Sequence, residues 1–309
     1  MNCIFMGTPL FGRYILEKLS KIVNIKLVLC QPDKPSGRNK RIEIGEVKRY
    51  SIENNLRIIQ PDKIKGNISI IEEIKNIKPD FIFVAAYGKI LNKEVLDLPK
   101  FGSINVHSSL LPKYRGAAPI NWSIINGDKT TGVTIMKMDE GMDTGDIILS
   151  KEVEIDEYDN VETLTRKLAI VGSDLIETFI NNFKNKGNEF ESFAQNDAES
   201  STAPKMSKDI SKINWKKDSN IINNLVRGSY PWPGANCLDS NGQLINILES
   251  NSNNEIYGEP GEIKKNNNKM YVCCGKGSIE ILKIQKSGRK TISGIDFLNG
   301  IKIGEYKFS

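Results

Sequence analysis

The chain has 309 residues, of which 39% are hydrophobic and 26% charged, and its formal net charge is +5. This length allows two domains of ordinary size, each with its own core, and the composition is typical of a globular protein. No apolar run approaches the roughly 20 residues of a membrane-spanning helix. The N-terminal MNCIFMG lacks the basic region and cleavage site of a secretory signal, so we expect a cytoplasmic protein.

The first half of the chain alternates short apolar runs with helix-length segments. The predicted strands are rich in Ile, Val and Phe, namely NCIFMG, IKLVLC, LRIIQP, FIFVAAYG, GSINVH and GVTIMKM. FGRYILEKLSKIV and ISIIEEIKNIK are predicted helices between them. This alternation predicts a Rossmann-like α/β domain with a mostly parallel sheet covered on both faces. Ligands of such sheets bind beyond the carboxyl ends of the strands.

A long helical pattern from Asn160 to Asn185 closes this first domain, which we place at residues 1–188. Residues 189–208 are polar with little periodicity and are predicted to form a linker. Residues 209–309 then show a period of two, with hairpins expected around Asn241–Gly242 and Gly275–Gly277. Several short strands in about 100 residues predict a small OB-like β-barrel, a fold that often handles nucleic acid.

The cysteines predict buried, reduced thiols. Cys273 and Cys274 are adjacent, and none of the five cysteines lies in a CxxC pair. With a single histidine in the chain, His107, no set of zinc ligands is apparent. We therefore expect neither a disulfide framework nor a metal site.

The first glycine-rich turn, GTPLFG at residues 7–12, matches no phosphate-binding motif. It lacks the Lys-Ser/Thr of a P-loop and does not fit GxGxxG. Pro9 and Leu10 also restrict the approach of a pyrophosphate to the backbone. A strand-to-helix turn that lines a pocket is the better interpretation.

Three polar residues are candidates for catalysis. Asn105 and His107 are two apart in a predicted strand, so both side chains point to the same side, and Asp143 follows in DEGMDTGDI. The Asn amide can donate to an oxyanion, the imidazole can carry a proton, and the carboxylate can orient it, as an acyl-type transfer requires. From spacing alone, a lone histidine at a strand end is more often structural than catalytic, and an Asp before Thr-Gly is often a turn or cap residue.

A longer pattern extends this set. NVHSSLLPKYRGAAPI, followed by GDKTTGVTIMKMDEGMDTGDIIL, resembles the signature region of the folate-dependent formyltransferases. The resemblance continues through FVAAYGKIL upstream and through APK, INW and RGSYPWPGA downstream, and so covers nearly the whole chain. Within that family the chain is most similar to members that formylate methionine on initiator tRNA, since it combines QPDKPSGRNKR with a complete C-terminal β domain.

The resemblance implies transfer of a formyl group from 10-formyltetrahydrofolate, as co-substrate, to the α-amine of methionyl initiator tRNA, by a monomer and without a metal. It implies that Asn105, His107 and Asp143 carry the chemistry. Two segments are expected to contact the folate, formed by Gly88, Lys89, Ile90 and Leu91 and by Ser109, Leu110, Leu111 and Pro112.

For the tRNA, the resemblance implies contacts from Arg38, Lys40 and Arg41 in the basic segment PDKPSGRNKR. The family usually has Gly where this chain has Asn39, and IEIGEV differs from the usual Pro-containing stretch. A solvated surface loop is the alternative for this segment. The C-terminal barrel is expected to add phosphate contacts.

Two other functions fit parts of the sequence. A formyltransferase acting on the amine of a nucleotide-linked sugar can share the catalytic residues, but the basic segment argues against it. A folate- or RNA-binding protein without catalysis is the alternative from a different class, and the intact set of Asn105, His107 and Asp143 argues against that one.

Overall fold

The computed structural model describes residues 1–36, 41–304 and 306–309. The contacts within the chain divide it into two compact units. Unit 1 comprises Met1–Pro119, Thr130–Glu154 and Thr165–Ala203, and unit 2 comprises Ile120–Lys129, Ile155–Leu164 and Pro204–Ser309. No helix in the described part of the chain is long and apolar enough to cross a membrane.

The first part of the chain alternates strands and helices as the apolar runs predict. Up to Asn185 its elements are β1 (Asn2–Gly7), α1 (Leu10–Ile22), β2 (Asn24–Leu29), β3 (Lys34–Ser36), β4 (Arg41–Glu43), α2 (Glu46–Glu53), β5 (Ile58–Ile59), α3 (Ile68–Ile77), β6 (Phe81–Ala85), α4 (Lys93–Leu96), β7 (Ser103–His107), β8 (Arg115–Gly116), α5 (Pro119–Ile125), β9 (Thr130–Lys137), β10 (Ile147–Glu154) and α6 (Val161–Asn185).

Unit 1 contains a seven-stranded sheet in the order β10-β9-β7-β6-β1-β2-β5. The five strands from β7 to β5 pair in parallel, whereas β9 and β10 pair antiparallel. The order reverses between β1 and β6, because the chain builds outward from β1 through β2 and β5 before it returns to β6. Such a switch point opens a crevice at the carboxyl ends of the strands. The prediction of a mostly parallel α/β sheet is confirmed.

Both faces of this sheet are buried. Along β6, Phe81 and Phe83 contribute to a cluster of aromatic rings on one face, with Phe101, Phe179, Phe183 and Phe190. The alternate residues Ile82 and Val84 pack with aliphatic side chains from β1, β2 and α3 on the other face. This explains why the strand is a continuous apolar run instead of an alternating one.

Close backbone approach explains the glycines of the GTPLFG turn. A Cβ atom on Gly7 or on Gly12 would lie 2.7 Å from the carbonyl oxygen of Ala85. The turn between β1 and α1 therefore packs directly against the end of β6, and its glycines are required by packing. This agrees with the interpretation of the segment as a strand-to-helix turn.

The remaining elements are a 3₁₀ turn (Asp197–Glu199), β11 (Thr202–Ala203), α7 (Ser219–Ser229), β12 (Ala235–Leu238), β13 (Leu244–Asn253), β14 (Ile263–Asn266), β15 (Lys269–Cys273), β16 (Ser278–Lys286), β17 (Ile292–Ser293) and α8 (Gly294–Asn299). The predicted linker, residues 189–208, is bonded to unit 1 as far as Ala203. Phe193 bridges to Ile147, and β11 pairs in parallel with β8. Backbone pairing of this kind leaves no periodic signal in a polar segment.

Unit 2 is built on an antiparallel sheet in the order β12-β13-β16-β15-β14, with β17 paired to β16. Both predicted hairpins are present, β12–β13 and β15–β16. The C-terminal residues then bridge the two edges of the sheet. Phe308 pairs with Asp239 next to β12, and Lys307 pairs with Glu262 next to β14. The last residues of the chain thus connect the two edges of the sheet, with one bridge at each.

Candidate active site

A cavity of about 580 Å³ lies in unit 1 at the carboxyl ends of the parallel strands. Its lining comes from the turns after β1 and β6, from the end of β7 and from the loop after β9. This is the edge where the strand order reverses, so the sheet itself creates the opening. Its size lies within the range of roughly 300–1,000 Å³ that small-molecule sites occupy.

Asn105, His107 and Asp143 meet in one wall of this cavity. Asn105 Nδ2 donates to Asp143 Oδ1 over 3.3 Å, and His107 Nδ1 lies 3.7 Å from the same oxygen. The Asn and His side chains are 8% and 6% exposed. Their strand spacing places them on the same face, and Asp143, 36 residues after His107, comes to both through a loop.

Hydrogen bonds determine where His107 carries its proton. His107 Nε2 lies 3.1 Å from the backbone oxygen of Tyr114. A carbonyl oxygen only accepts hydrogen bonds, so Nε2 is the donor and holds a hydrogen in the neutral ring. In that neutral ring Nδ1, on the side of Asp143, is the nitrogen without a hydrogen.

Asp143 is held by two backbone contacts. Its Oδ2 accepts from the N–H of Gly116 over 2.9 Å, and its own carbonyl accepts from Gln195 Nε2 over 2.8 Å. Its φ of 55° lies in the left-handed region, which costs a non-glycine residue about 1 kcal/mol or more. These contacts hold the carboxylate in place in spite of that cost.

One of the two segments predicted to contact folate lines the cavity along its whole length. Gly88, Lys89, Ile90 and Leu91 line it, whereas Ser109, Leu110, Leu111 and Pro112 do not belong to its described lining. Ser109 is fully buried, and Thr134 links its carbonyl to the N–H of Leu111. Ser108, the residue next to His107, does line the cavity.

Gly88 is required at its position for two reasons. Its φ of +73° is left-handed, and a Cβ atom there would lie 2.5 Å from Gln31 Nε2. Lys89, beside it, donates through Nζ to the carbonyl oxygens of Pro61 and Asp62 over 2.6 and 2.7 Å. The Lys89 ammonium therefore ties this wall to the turn after β5.

Several groups at the site were not predicted from the sequence. The Tyr114 carbonyl and the Gly116 N–H are backbone atoms, which carry no side-chain signal, although the Arg-Gly-Ala-Ala-Pro turn marks their position. Gln195 lies in the predicted linker and has no signal of its own. Thr8 and Gln31 also line the cavity, each directly after a parallel strand.

The predicted tRNA contacts fall mostly outside the described residues. Arg38 and Lys40 belong to residues 37–40, which the structure does not describe. Arg41 is the first residue of β4, which pairs antiparallel with β3. Within the described part of the chain, no group of three or more His, Cys, Asp or Glu side chains could hold a metal ion.

Comparison with known proteins agrees with this architecture. A family model described as formyl transferase matches residues 1–180, and one for the formyl transferase C-terminal domain matches residues 205–302. The chain shares the fold of an N-formyltransferase from Helicobacter canadensis, solved with folinic acid and dTDP-3-aminofucose. The TM-score is 0.67 at 24% identity, over 92% of this chain and 98% of that one.

Curated relatives match over nearly their whole length. The methionyl-tRNA formyltransferase of Thermodesulfovibrio yellowstonii is 45% identical, covering 98% of this chain and 96% of that protein. The methionyl-tRNA formyltransferase of Clostridium acetobutylicum is 44% identical, covering 98% of this chain and 97% of that protein. The chain therefore belongs to the formyl transferase family, and within it to the methionyl-tRNA formyltransferases.

Proposed function

We propose that this protein transfers the formyl group of 10-formyltetrahydrofolate to the α-amine of methionine on initiator tRNA. The observation that carries the proposal is the meeting of Asn105, His107 and Asp143 in one cavity wall of a chain with this family membership. The cavity is of a size for a folate donor, and its mouth lies where acceptor groups can enter from solvent.

The three side chains can perform the transfer without a nucleophile from the protein. The methionine nitrogen forms a bond to the formyl carbon, the bond from that carbon to the folate nitrogen breaks, and the amine loses a proton. The Asn105 amide and the protonated Nδ1 of His107 donate to the oxygen on which negative charge develops. Because Tyr114 engages Nε2, the proton that the imidazole exchanges is on Nδ1.

Asp143 supports both donors. Its carboxylate Oδ1 lies 3.7 Å from His107 Nδ1, on the side from which the imidazole donates to the developing oxyanion. It also orients the Asn105 amide. We assign to the pair His107–Asp143 the transfer of the amine proton to the departing folate nitrogen, so that no proton is lost or gained overall.

For the donor, we propose that the folate lies along Gly88–Leu91 and Ser109–Pro112, with Ser108 lining the cavity between His107 and the second segment. Ser109–Pro112 remain proposed folate contacts, and the hydrogen bonds of Thr134 hold the backbone of Ser109 and Leu111 in place. For the acceptor, Arg38, Lys40 and Arg41 are proposed to contact the tRNA, and unit 2 to add phosphate contacts that weaken with salt. We expect a monomer that acts in the cytoplasm, where both substrates occur.

The test is a choice among acceptors. The full-length protein is given formyl-labelled 10-formyltetrahydrofolate with methionyl initiator tRNA, methionyl elongator tRNA or an amino-sugar nucleotide. We expect label on the initiator tRNA, whereas labelling of the sugar nucleotide in its place would refute the proposed acceptor.

The chemistry is tested by alanine substitution. Asn105→Ala or His107→Ala is expected to lower kcat by about 100-fold or more, as loss of an oxyanion donor does, while folate binding remains. Asn181→Ala, at an exposed position of α6, is the matched control and should leave kcat unchanged. Turnover near that of the unaltered protein in either catalytic variant would exclude the assigned roles.

A further inference from the structure

An ion pair joins the two ends of the β3–β4 hairpin. Asp33 directly precedes β3, and Lys48 lies in the first turn of α2, which follows β4. Lys48 Nζ lies 2.5 Å from Asp33 Oδ2, and both side chains are 20% exposed. The pair therefore connects the residues that enter and leave the hairpin, at a depth where water screens the attraction only in part.

Gln60, directly after β5, bonds to both members of this pair. Its Oε1 accepts from Lys48 Nζ over 2.6 Å, and its Nε2 donates to Asp33 Oδ1 over 2.9 Å. The same Nε2 donates to the carbonyl oxygen of Gln31 over 2.8 Å. Both carboxylate oxygens of Asp33 thus have donors. The hydrogen bond from Lys48, followed by that from Gln60, lowers the pKa of Asp33 below its ordinary value of 3.8.

Gln31 extends the network to the cavity. Its side-chain Nε2 donates to the carbonyl oxygen of Tyr87 over 2.7 Å, and its backbone N–H donates to Thr8 Oγ1 over 3.2 Å. Gln31, Thr8 and Tyr87 all line the cavity. A continuous series of hydrogen bonds therefore runs from the cavity wall to the ends of the hairpin, entirely within unit 1.

We infer that Lys48, Asp33 and Gln60 are positioning residues, which fix the residues that enter and leave the β3–β4 hairpin against the wall of the active-site cavity, and that the use of tRNA as acceptor depends on this anchoring. This rests on the proposed function, because the acceptor it concerns is the tRNA. The three residues touch neither reacting group. Their effect is expected on the use of tRNA as acceptor, with little effect on the donor.

The geometry favours anchoring over a simple contribution of positive charge. A cation that served only to attract phosphate would be mostly exposed, as Arg49 is at 56% even in its surface ion pair with Glu46. Lys48 is instead engaged by Asp33 and Gln60. Neutralising either member of a half-buried pair leaves the other without its partner, which costs more than the loss of a surface charge.

Lys48→Met and Arg49→Met form a matched test, since each removes one positive charge from neighbouring positions of α2. We expect Lys48→Met to raise KM for initiator tRNA about tenfold, the effect of losing one charged hydrogen-bonded contact. KM for the folate donor and kcat should remain within about twofold. Arg49→Met should change none of the three, and Lys48→Arg should recover most of the loss. Equal effects of the two Met variants, or a change in donor KM alone, would overturn the inference.

A second measurement does not depend on tRNA. Hydrogen exchange of the peptide covering β3 and β4 should be faster in Lys48→Met than in Arg49→Met, and Asp33→Asn combined with Lys48→Met should add nothing further. Equal exchange in the two Met variants overturns the anchoring. If exchange is faster in Lys48→Met but the unaltered protein formylates no tRNA, the anchoring is supported and the proposed function fails. The failure of the anchoring and the failure of the proposed function are therefore distinguishable.

Discussion

Replacing Asp143 by Asn tests how the active-site carboxylate acts on His107. The substitution keeps the shape of the side chain and removes its charge. The Gly116 N–H, which donates to Asp143 Oδ2 over 2.9 Å, should keep the one remaining side-chain oxygen on its own side. The new NH₂ group then faces the Asn105 amide and Nδ1 of His107, where it donates to the neutral ring. The imidazole is thereby held in the form that cannot donate from Nδ1.

The magnitude follows from the separation of the charges. At the 3.7 Å between His107 Nδ1 and Asp143 Oδ1, an effective dielectric constant of about 20 gives an attraction of about 4.5 kcal/mol between the carboxylate and a charged imidazole. This dielectric constant already includes the screening by water at a side chain that is 17% exposed, so the figure is the upper limit of the effect. Because each 1.36 kcal/mol is a factor of ten, kcat should fall by about 100-fold or more.

The assay is single-turnover formylation of methionyl initiator tRNA with both substrates saturating, together with donor binding measured separately. Asp146→Asn is the matched control, because it removes the same charge from the same loop at a residue that bonds Ser192. We expect the control to keep its rate and Asp143→Asn to lose it with donor affinity preserved. A rate within threefold of the unaltered protein for Asp143→Asn would refute the role of the carboxylate.

Three further predictions concern other parts of the molecule. Gly88→Ala should destabilise unit 1 by about 1–2 kcal/mol because of its left-handed φ, which urea unfolding measures. It should also raise the KM for the folate donor, measured from initial rates, because the new Cβ displaces Gln31. Tyr306→Phe should cost about 1–3 kcal/mol in the unfolding of unit 2 at pH 7, because the Tyr306 hydroxyl donates to the buried Asp239 carboxylate. The five cysteines, all buried, should resist a thiol reagent at pH 7 until the protein unfolds, since burial raises the pKa values of Cys3, Cys30 and Cys274 to about 12, 11 and 12.

The pH dependence of the Tyr306→Phe effect has a definite sign. Burial alone raises the pKa of Asp239, but hydrogen bonds from Tyr306 and from the backbone of Gln243 and Asn241 outweigh it, and the pKa is lowered from its ordinary 3.8. A carboxyl group with a depressed pKa in the folded state stabilises the fold above the ordinary value and loses that contribution as pH falls through the folded pKa. The difference between Tyr306→Phe and the unaltered protein should therefore shrink below about pH 3.8.

Each of these predictions can fail separately. Unchanged donor KM in Gly88→Ala would show that Gln31 has room to move. If the loss of unfolding free energy in Tyr306→Phe stays constant down to pH 3, the hydrogen bond to the Asp239 carboxylate is not its cause. Rapid labelling of any cysteine in the folded protein would show that its part of the core opens readily.

Much of the fold and part of the site follow from local patterns. The period of two along residues 103–107 places Asn105 and His107 on one face of β7, and this spacing holds in any strand. The apolar runs and the helical periodicity likewise predict the alternation of strands and helices in unit 1. The period-two hairpins around Gly242 and Gly277 predict the antiparallel sheet of unit 2. These properties depend only on residues near one another in the chain, so the sequence alone predicts them.

The tertiary structure alone brings distant groups together. Asp143 reaches the pair on β7 through a loop in a left-handed conformation, held by the Gly116 N–H and by Gln195 from the segment predicted as a linker. The tertiary structure also pairs the last residues of the chain with residues next to both edge strands of the sheet in unit 2. Backbone donors, loop conformations and pairings over long sequence separations have no side-chain periodicity, so only the packed chain decides them.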